Sequence, residues 1–155
     1  MRTLSLALLG SAVFLVACHA GAPANPGGAG HVQLARRVLL ECLGQGRCEA
    51  LAGLYAADFI AHGASADYTL ERDMAATRSW RAAMPDLAVS IERTVADQDM
   101  VAVHWKAAGT NTVAAGGLSG TGERMGIEGM TIFRFTGGRI AEEWSVLDVA
   151  TLRRL

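Results

Sequence analysis

The residues best suited to chemistry lie near the carboxyl end of the chain, where an aspartate closes an alternating apolar stretch. Residues 139–148 have the pattern of a strand, and in a regular strand alternate side chains share one face. One face would then carry Ile140, Glu142, Trp144, Val146 and Asp148. A carboxylate at the end of such a row is either a solvated strand terminus or an acid/base group in a pocket, and we favour the pocket for Asp148.

Histidines are the other candidate proton carriers. His62 closes a short extended segment before a glycine, where a surface position and a ligand-facing position fit equally well. His104 and Trp105 are neighbours in a predicted strand and therefore face opposite sides. If Trp105 fills a dimer interface, His104 lines the cavity, whereas if Trp105 fills the cavity, His104 lies on the surface. The sequence leaves that choice open. The histidines show no metal-ligand cluster, so we expect no metal site.

Three helices are predicted before the first long strand. Apolar residues recur at helical spacing over 35–43, and a shorter helix is expected over 48–56. Side chains that can cap a helix occur at 67–69, and Pro85 ends the third helix that they begin.

From Leu87 onward the apolar period changes to two, which predicts consecutive strands. The pair Gly137 and Gly138 suits a tight hairpin turn, because both central residues of such a turn need positive φ. Helices followed by hairpin-linked strands indicate an α+β domain with a mostly antiparallel sheet. A curved sheet with helices across one face leaves a cavity, which is a natural small-molecule site.

Composition limits the class of protein. The chain has 155 residues, of which 51% are hydrophobic and 19% charged, and this suits one globular domain. Its formal net charge is −1, without a basic stripe that could displace counterions from phosphates. Nucleic acid is therefore not an expected partner.

The amino terminus has the pattern of a targeting segment. After Arg2 an uncharged, mainly apolar run extends to Ala17, which is too short to span a bilayer comfortably and suits a signal peptide. The run ends Leu15-Val16-Ala17-Cys18 and resembles the lipobox of bacterial lipoproteins. That resemblance implies a signal peptide over 1–17, a lipid on Cys18, and a location in the cell envelope facing the periplasm or the exterior. An ordinary secretory signal is the alternative.

The next segment, 18–30, is rich in Gly, Ala and Pro, and we expect a flexible tether. The folded domain would then cover 31–155. Cys42 and Cys48 remain within it, six positions apart. In an oxidising compartment they could form a structural disulfide, or they could be two buried thiols.

Several motifs in order resemble one family. They are Leu54 to His62, Met84-Pro85-Asp86-Leu87, Gly109-Thr110, Thr121-Gly122, and Ile132 to Ile140 continuing through Glu143-Trp144 to Asp148. Together they resemble the SnoaL-like polyketide cyclases, also called ester cyclases, of the NTF2-like superfamily. The resemblance implies a cone-shaped α+β barrel, usually dimeric, whose pocket lies between the helices and the concave sheet face.

The resemblance also implies a chemistry. Characterised cyclases of that family use an aspartate on the last long strand as acid/base in an intramolecular aldol closure, without metal or cofactor. Asp148 matches that position, and His62 matches a histidine at the pocket mouth. Where many relatives have Gly-Thr-His, this chain has Asn111, which can hydrogen-bond but cannot relay a proton.

The remaining expected pocket residues are large side chains that need burial. They would form the substrate-binding wall together with His104 and Asn111: Tyr55, Trp80, Met130 and Trp144. Glu142 shares a face with Trp144, and we expect it to pair with Arg134 or Arg139 across the hairpin.

Three functions remain open at this stage. The first is cofactor-free acid/base chemistry on a small apolar or carbonyl-containing molecule, such as a cyclisation or a related isomerase or lyase step. The second is a non-enzymatic envelope protein that binds or carries a ligand in the same cavity. The third is a dimeric structural module whose cavity is filled by side chains.

Overall fold

The structure, a computed structural model, describes residues 26–154, with side chains described from 28 to 148. The predicted signal peptide and Cys18 lie outside this range. Helix α1 covers Pro26–Arg37, so the last five residues of the predicted tether are helical. Proline suits this first helical position because its missing N–H would have no partner there.

Helix α1 continues as a wider π-helical turn over Val38–Leu43, which buries Val38, Leu39 and Cys42. A disulfide joins Cys42 to Cys48, one of the two states that the sequence left open. The bond closes the glycine-containing loop between the π-helical turn and the next element. Both cysteines are buried in the core, which is consistent with a structural role.

The second predicted helix is shorter than expected. It is a 3₁₀ helix over Glu49–Leu54, and strand β1 (Tyr55–His62) begins at once. The difference has a tertiary cause, because Tyr55 already pairs with Ile140 in the sheet. Helix α2 covers Leu70–Ala83 and begins where the Thr69 side chain accepts a hydrogen bond from the Arg72 N–H at 3.5 Å.

Arg81 fixes the carboxyl end of α2 to the rest of the core. Its guanidinium donates to the carbonyl oxygens of Gly44 and Leu87 at 2.7 Å each, and to that of Pro85 at 2.9 Å. One side chain therefore connects the end of the π-helical turn, the end of α2 and the start of the sheet.

Six strands form the main sheet, in the order β2-β1-β8-β7-β4-β3. The remaining five are β2 (Asp67–Tyr68), β3 (Ala88–Asp97), β4 (Met100–Thr110), β7 (Arg124–Thr136) and β8 (Arg139–Arg154). Among the described strands of this sheet, β1 and β8 run parallel, and the other pairs are antiparallel. The glycine-rich loop that connects β4 to β7 contains a small hairpin of β5 (Ala114–Ala115) and β6 (Leu118–Ser119).

The predicted α+β fold is confirmed, with helices across one face of a curved, mostly antiparallel sheet. The main sheet stays open and does not close into a barrel. Its inner face packs against the helices through fully buried residues such as Val101, Val103, Phe133 and Ile140. Its outer face leaves large apolar side chains exposed, including Ile60, Met130 and Val146.

A β-bulge near the start of β8 sets the phase of that strand. Phe135 pairs with Ile140, but the preceding residue Arg134 pairs with Glu142. Ala141 is therefore an extra residue on β8, and a bulge of this kind shifts the alternation of side chains by one. In the part of the chain that the structure describes, no helix is long and apolar enough to cross a membrane.

Candidate functional site

A cavity of about 160 Å³ lies between the helical layer and the inner face of the sheet. The π-helical turn and α2 form one wall, and strands β1, β4, β7 and β8 form the other. Aliphatic side chains cover most of the surface. The chemically distinctive lining residues are two acids, three aromatic residues and three hydroxyl residues: Asp73, Glu143, Tyr55, Trp80, Trp105, Thr77, Thr131 and Ser145.

Glu143 is the acid at the centre of this site. Because of the bulge at Ala141, the inner-facing positions of β8 after it are Glu143, Ser145 and Leu147, which all line the cavity. The Glu143 side chain lies in the core with 9% of its residue surface exposed. A buried carboxyl group needs hydrogen-bond partners for both of its oxygens. Among the described residues, one oxygen of Glu143 has such a partner and the other has none.

A chain of hydrogen bonds leads across the sheet to that oxygen. The Trp105 indole Nε1–H donates to Thr131 Oγ1 at 3.0 Å, and Thr131 Oγ1 lies 2.9 Å from Ser145 Oγ. Ser145 Oγ then donates to Glu143 Oε1 at 2.9 Å. These hydrogen bonds cross three neighbouring strands, β4, β7 and β8, so the register of the sheet fixes their geometry.

The direction of donation follows from the last member. Ser145 has a single hydroxyl hydrogen and donates it to Glu143 Oε1, so the Thr131 hydroxyl is the donor in its contact with Ser145. Ser145 passes its hydrogen on to Glu143 Oε1, which accepts. The other oxygen, Glu143 Oε2, is buried and has no hydrogen-bond partner within the described residues. A proton on this carboxyl group therefore belongs on Oε2.

The cavity favours protonated acids. The pKa of Glu143 is raised to about 8, first by burial and then by the nearby Asp73 carboxylate, while the Ser145 hydrogen bond opposes the shift. Burial also raises the pKa of Asp73. The pKa of Tyr55 lies well above its usual value, first through burial and then through the charges of Glu143 and Asp73. Glu143 and Tyr55 are therefore both proton donors near neutral pH.

Asp148 does not line this cavity. It is exposed and lies opposite Glu128 in the register of β7 and β8, on the outer face with Trp144 and Val146. The predicted pocket position of Asp148 is therefore wrong in this structure. The prediction assumed a regular alternation, which puts Asp148 on the same face as Ile140. The bulge at Ala141 interrupts that alternation, so Ile140 faces inward and Asp148 faces outward.

His62 also lies on the outer face. Its ring stacks on Trp144 with a centroid distance of 4.6 Å, and its Nδ1 is 3.0 Å from Asp67 Oδ1. Its Nε2 is 3.5 Å from Glu142 Oε2, and Glu142 also pairs with Arg134, as expected from the sequence. His62 and Trp144 therefore belong to a polar cluster outside the cavity.

The question left open at His104 and Trp105 is resolved. Trp105 lines the cavity, so His104 lies on the outer face, where its Nε2 is 2.5 Å from Glu128 Oε1. Met130 is 49% exposed on the same face. Asn111 is buried away from the cavity lining and accepts a hydrogen bond from the Gly120 N–H. Of the expected pocket-wall residues, Tyr55 and Trp80 do line the cavity.

Four important lining residues escaped the sequence predictions: Asp73, Thr131, Glu143 and Ser145. One signal pointed to Glu143, because two consecutive glutamates in a strand must face opposite sides. Glu142 had a predicted arginine partner, so its neighbour was the acid left to face the core. Within the described residues, no group of three or more His, Cys, Asp and Glu side chains could hold a metal ion.

Comparison with known proteins agrees with this architecture. The family model described as SnoaL-like polyketide cyclase matches residues 33–154. The chain belongs to the SnoaL-like polyketide cyclase family. A search of curated proteins finds no match.

Solved structures share the fold at low sequence identity. A SnoaL-like protein from Jannaschia sp. CCS1 is 18% identical with a TM-score of 0.75, over 84% of this chain and 93% of that one. IdmH from Streptomyces antibioticus is 24% identical with a TM-score of 0.67, over 79% and 94%. TsrD from Streptomyces laurentii is 21% identical with a TM-score of 0.70, over 81% and 93%.

The raised pKa of Glu143 predicts a pH-dependent cost to stability. The folded protein holds this proton up to about pH 8, whereas the unfolded chain releases it near pH 4. Stability contributed by this group is therefore present at low pH and is lost as the pH rises between these values. Glu143→Gln should not lose this stability, because glutamine does not titrate. Between pH 5 and pH 8, the free energy of unfolding of the variant should therefore rise by several kcal/mol relative to that of wild type.

Urea denaturation at both pH values measures this difference. Glu142→Gln is the matched control, because an Arg134 hydrogen bond lowers the pKa of Glu142 and keeps its titration below this range. Parallel stability curves for wild type and Glu143→Gln across the range would contradict a buried, protonated Glu143.

Proposed function

We propose that the protein performs cofactor-free acid/base chemistry on a small carbonyl compound in the inner cavity, with Glu143 as the proton donor. The observation that carries the proposal is Glu143 Oε2, a buried oxygen that lacks a partner among the described residues, on a carboxyl group whose pKa is about 8. A neutral carboxylic acid in an apolar site can donate a hydrogen bond to a substrate oxygen. Membership of the cyclase family supports this class of reaction.

Two acids in one cavity suit an enolisation. Glu143 holds the proton that the pair shares near neutral pH, and Asp73 keeps the negative charge, because two nearby carboxyl groups do not both ionise easily. Asp73 would remove a proton from the carbon next to the carbonyl group while Glu143 Oε2 gives its proton to the carbonyl oxygen. The product of that step is a neutral enol.

An aldol closure would complete a cycle without any co-reactant. The enol carbon forms a bond to a second carbonyl carbon of the same molecule, and the enol O–H returns its proton to Glu143. The new alkoxide takes the proton that Asp73 removed from carbon. Both acids then have their starting protonation, so the net change is an isomerisation of the substrate.

The cavity volume limits the substrate. A cavity of about 160 Å³ is close to one that holds a benzene-sized molecule, roughly 150 Å³. A single ring or a short chain fits such a space, and a fused polycyclic molecule does not. We therefore infer that the substrate has about one ring and is not a large polyketide.

The outer face offers a second candidate site, because the family resemblance assigns the catalytic acid to Asp148 and its partner to His62. His62 stands between Asp67 and Glu142, which gives it two carboxylate neighbours. Asp148 is exposed on the same face. A reaction there would take place in contact with solvent, without the desolvation that raises the pKa of Glu143.

A test with a single-ring ketone separates the two sites. Enolisation exchanges the hydrogens beside the carbonyl group of cyclohexanone for deuterium in D₂O, and NMR follows the exchange. Wild type should accelerate the exchange over buffer, Glu143→Gln should lose a factor of about 10² to 10⁴ of that acceleration, and Asp148→Asn should keep it. Circular dichroism of each variant controls for folding.

The opposite pattern, with activity lost in Asp148→Asn and kept in Glu143→Gln, would move the chemistry to the outer face. If wild type binds cyclohexanone without accelerating exchange, the non-enzymatic ligand carrier is the correct function. Isothermal titration with the same ketone gives that binding measurement.

We also propose that the protein is exported and held at a bacterial membrane by a lipid on Cys18. The support is the apolar run that ends in Leu15-Val16-Ala17-Cys18. Growth with a labelled fatty acid should label the wild-type protein, and Cys18→Ser should carry at least tenfold less label. Equal labelling of both proteins would rule out the anchor.

A homodimer through the outer face of the sheet completes the proposal. The support is the set of exposed apolar side chains there, in which Val146 is 71% and Met130 49% exposed, since such patches mark association sites. Val146→Lys should convert a dimer to a monomer by light scattering. Val113→Lys, at an exposed position in the glycine-rich loop, is the control, and a monomeric wild type would refute the dimer.

A further inference from the structure

The charges that line the cavity have one sign. Asp73 and Glu143 are its ionisable acids, and none of the described lining residues is Lys, Arg or His. Arg81 lies on the same helix as Asp73, and its guanidinium donates hydrogen bonds to three backbone carbonyl oxygens. A carboxylate or phosphate ligand would therefore meet repulsion without a compensating cation.

Aromatic rings line the same space. Tyr55, Trp80 and Trp105 each contribute to the cavity wall, and the face of an aromatic ring attracts a cation. Gly129 leaves room for the Trp105 ring, because a Cβ at Gly129 would lie 2.5 Å from the indole. The hydrogen bond from Trp105 Nε1 to Thr131 fixes the other edge of the ring.

The charge that the two acids carry in the cavity favours a positively charged ligand. The proton shared by the two acids leaves one negative charge at Asp73, and a buried charge is costly unless it is paired. The described lining residues include no cation that could pair with it.

We propose that the cavity selects small molecules that carry a protonated amine, with the ammonium group held by the Asp73 carboxylate and the aromatic rings. This inference rests on the proposed function, because it describes the substrate class of the same cavity. A carboxylate has two oxygens, so Asp73 can accept from the ammonium group with one and take a carbon-bound hydrogen with the other. An amino ketone with one ring would meet both requirements.

Three molecules of the same ring size test the selectivity: cyclohexylamine, cyclohexanol and cyclohexanecarboxylate. Isothermal titration into the purified full-length protein at pH 7 should show the amine binding at least about tenfold more tightly than the alcohol, with no measurable binding of the carboxylate. Asp73→Asn should bring the amine to the affinity of the alcohol. Glu142→Gln, an acid-to-amide change on the outer face, should preserve the preference.

Equal binding of amine and alcohol, no binding of the amine, or a preserved preference in Asp73→Asn would each overturn the cation selectivity. These results leave the proposed chemistry to be judged by deuterium exchange of the neutral ketone. Conversely, unchanged exchange in Glu143→Gln together with amine-selective binding would refute the proposed function and keep the ligand class.

Discussion

The extra residue at Ala141 is the constraint on which the candidate site depends. It shifts the alternation of β8, so Ile140 and Glu143 face the helices while Glu142 faces outward. The same shift places Ser145 next to Glu143 on the inner face and aligns it with Thr131 on β7. Without this bulge the acid in the cavity would be Glu142, and the hydrogen-bond chain from Trp105 would lead to a different side chain.

An acid buried at this depth costs stability, and the surrounding residues show how the fold tolerates it. The hydrogen-bond chain satisfies one oxygen of Glu143, and protonation removes its charge, because a neutral acid is far cheaper to bury than an ion. The other oxygen stays without a protein partner in the described structure. Natural cores rarely leave such an atom unsatisfied without a functional reason, which is why this oxygen marks the site.

The two faces of the sheet divide the polar residues into separate groups. On the inner side, burial raises the pKa of both Glu143, on the sheet, and Asp73, on the facing helix α2. The outer face holds His62, His104, Glu128 and Asp148, where solvent and ion pairs are available. Family resemblance pointed to the outer group, whereas burial and hydrogen bonding point to the inner one.

The sequence by itself determined the class of fold, the order of helices and strands, and the hairpin at Gly137-Gly138, because these depend on local periodicity and turn chemistry. It also limited Cys42 and Cys48 to two states and the partner of Glu142 to Arg134 or Arg139. Only the tertiary structure decided which acid faces the cavity, since a one-residue bulge leaves no local signature and yet reverses every later side chain. The contribution of Asp73 likewise required the packing of α2 on the sheet, which joins residues 70 positions apart.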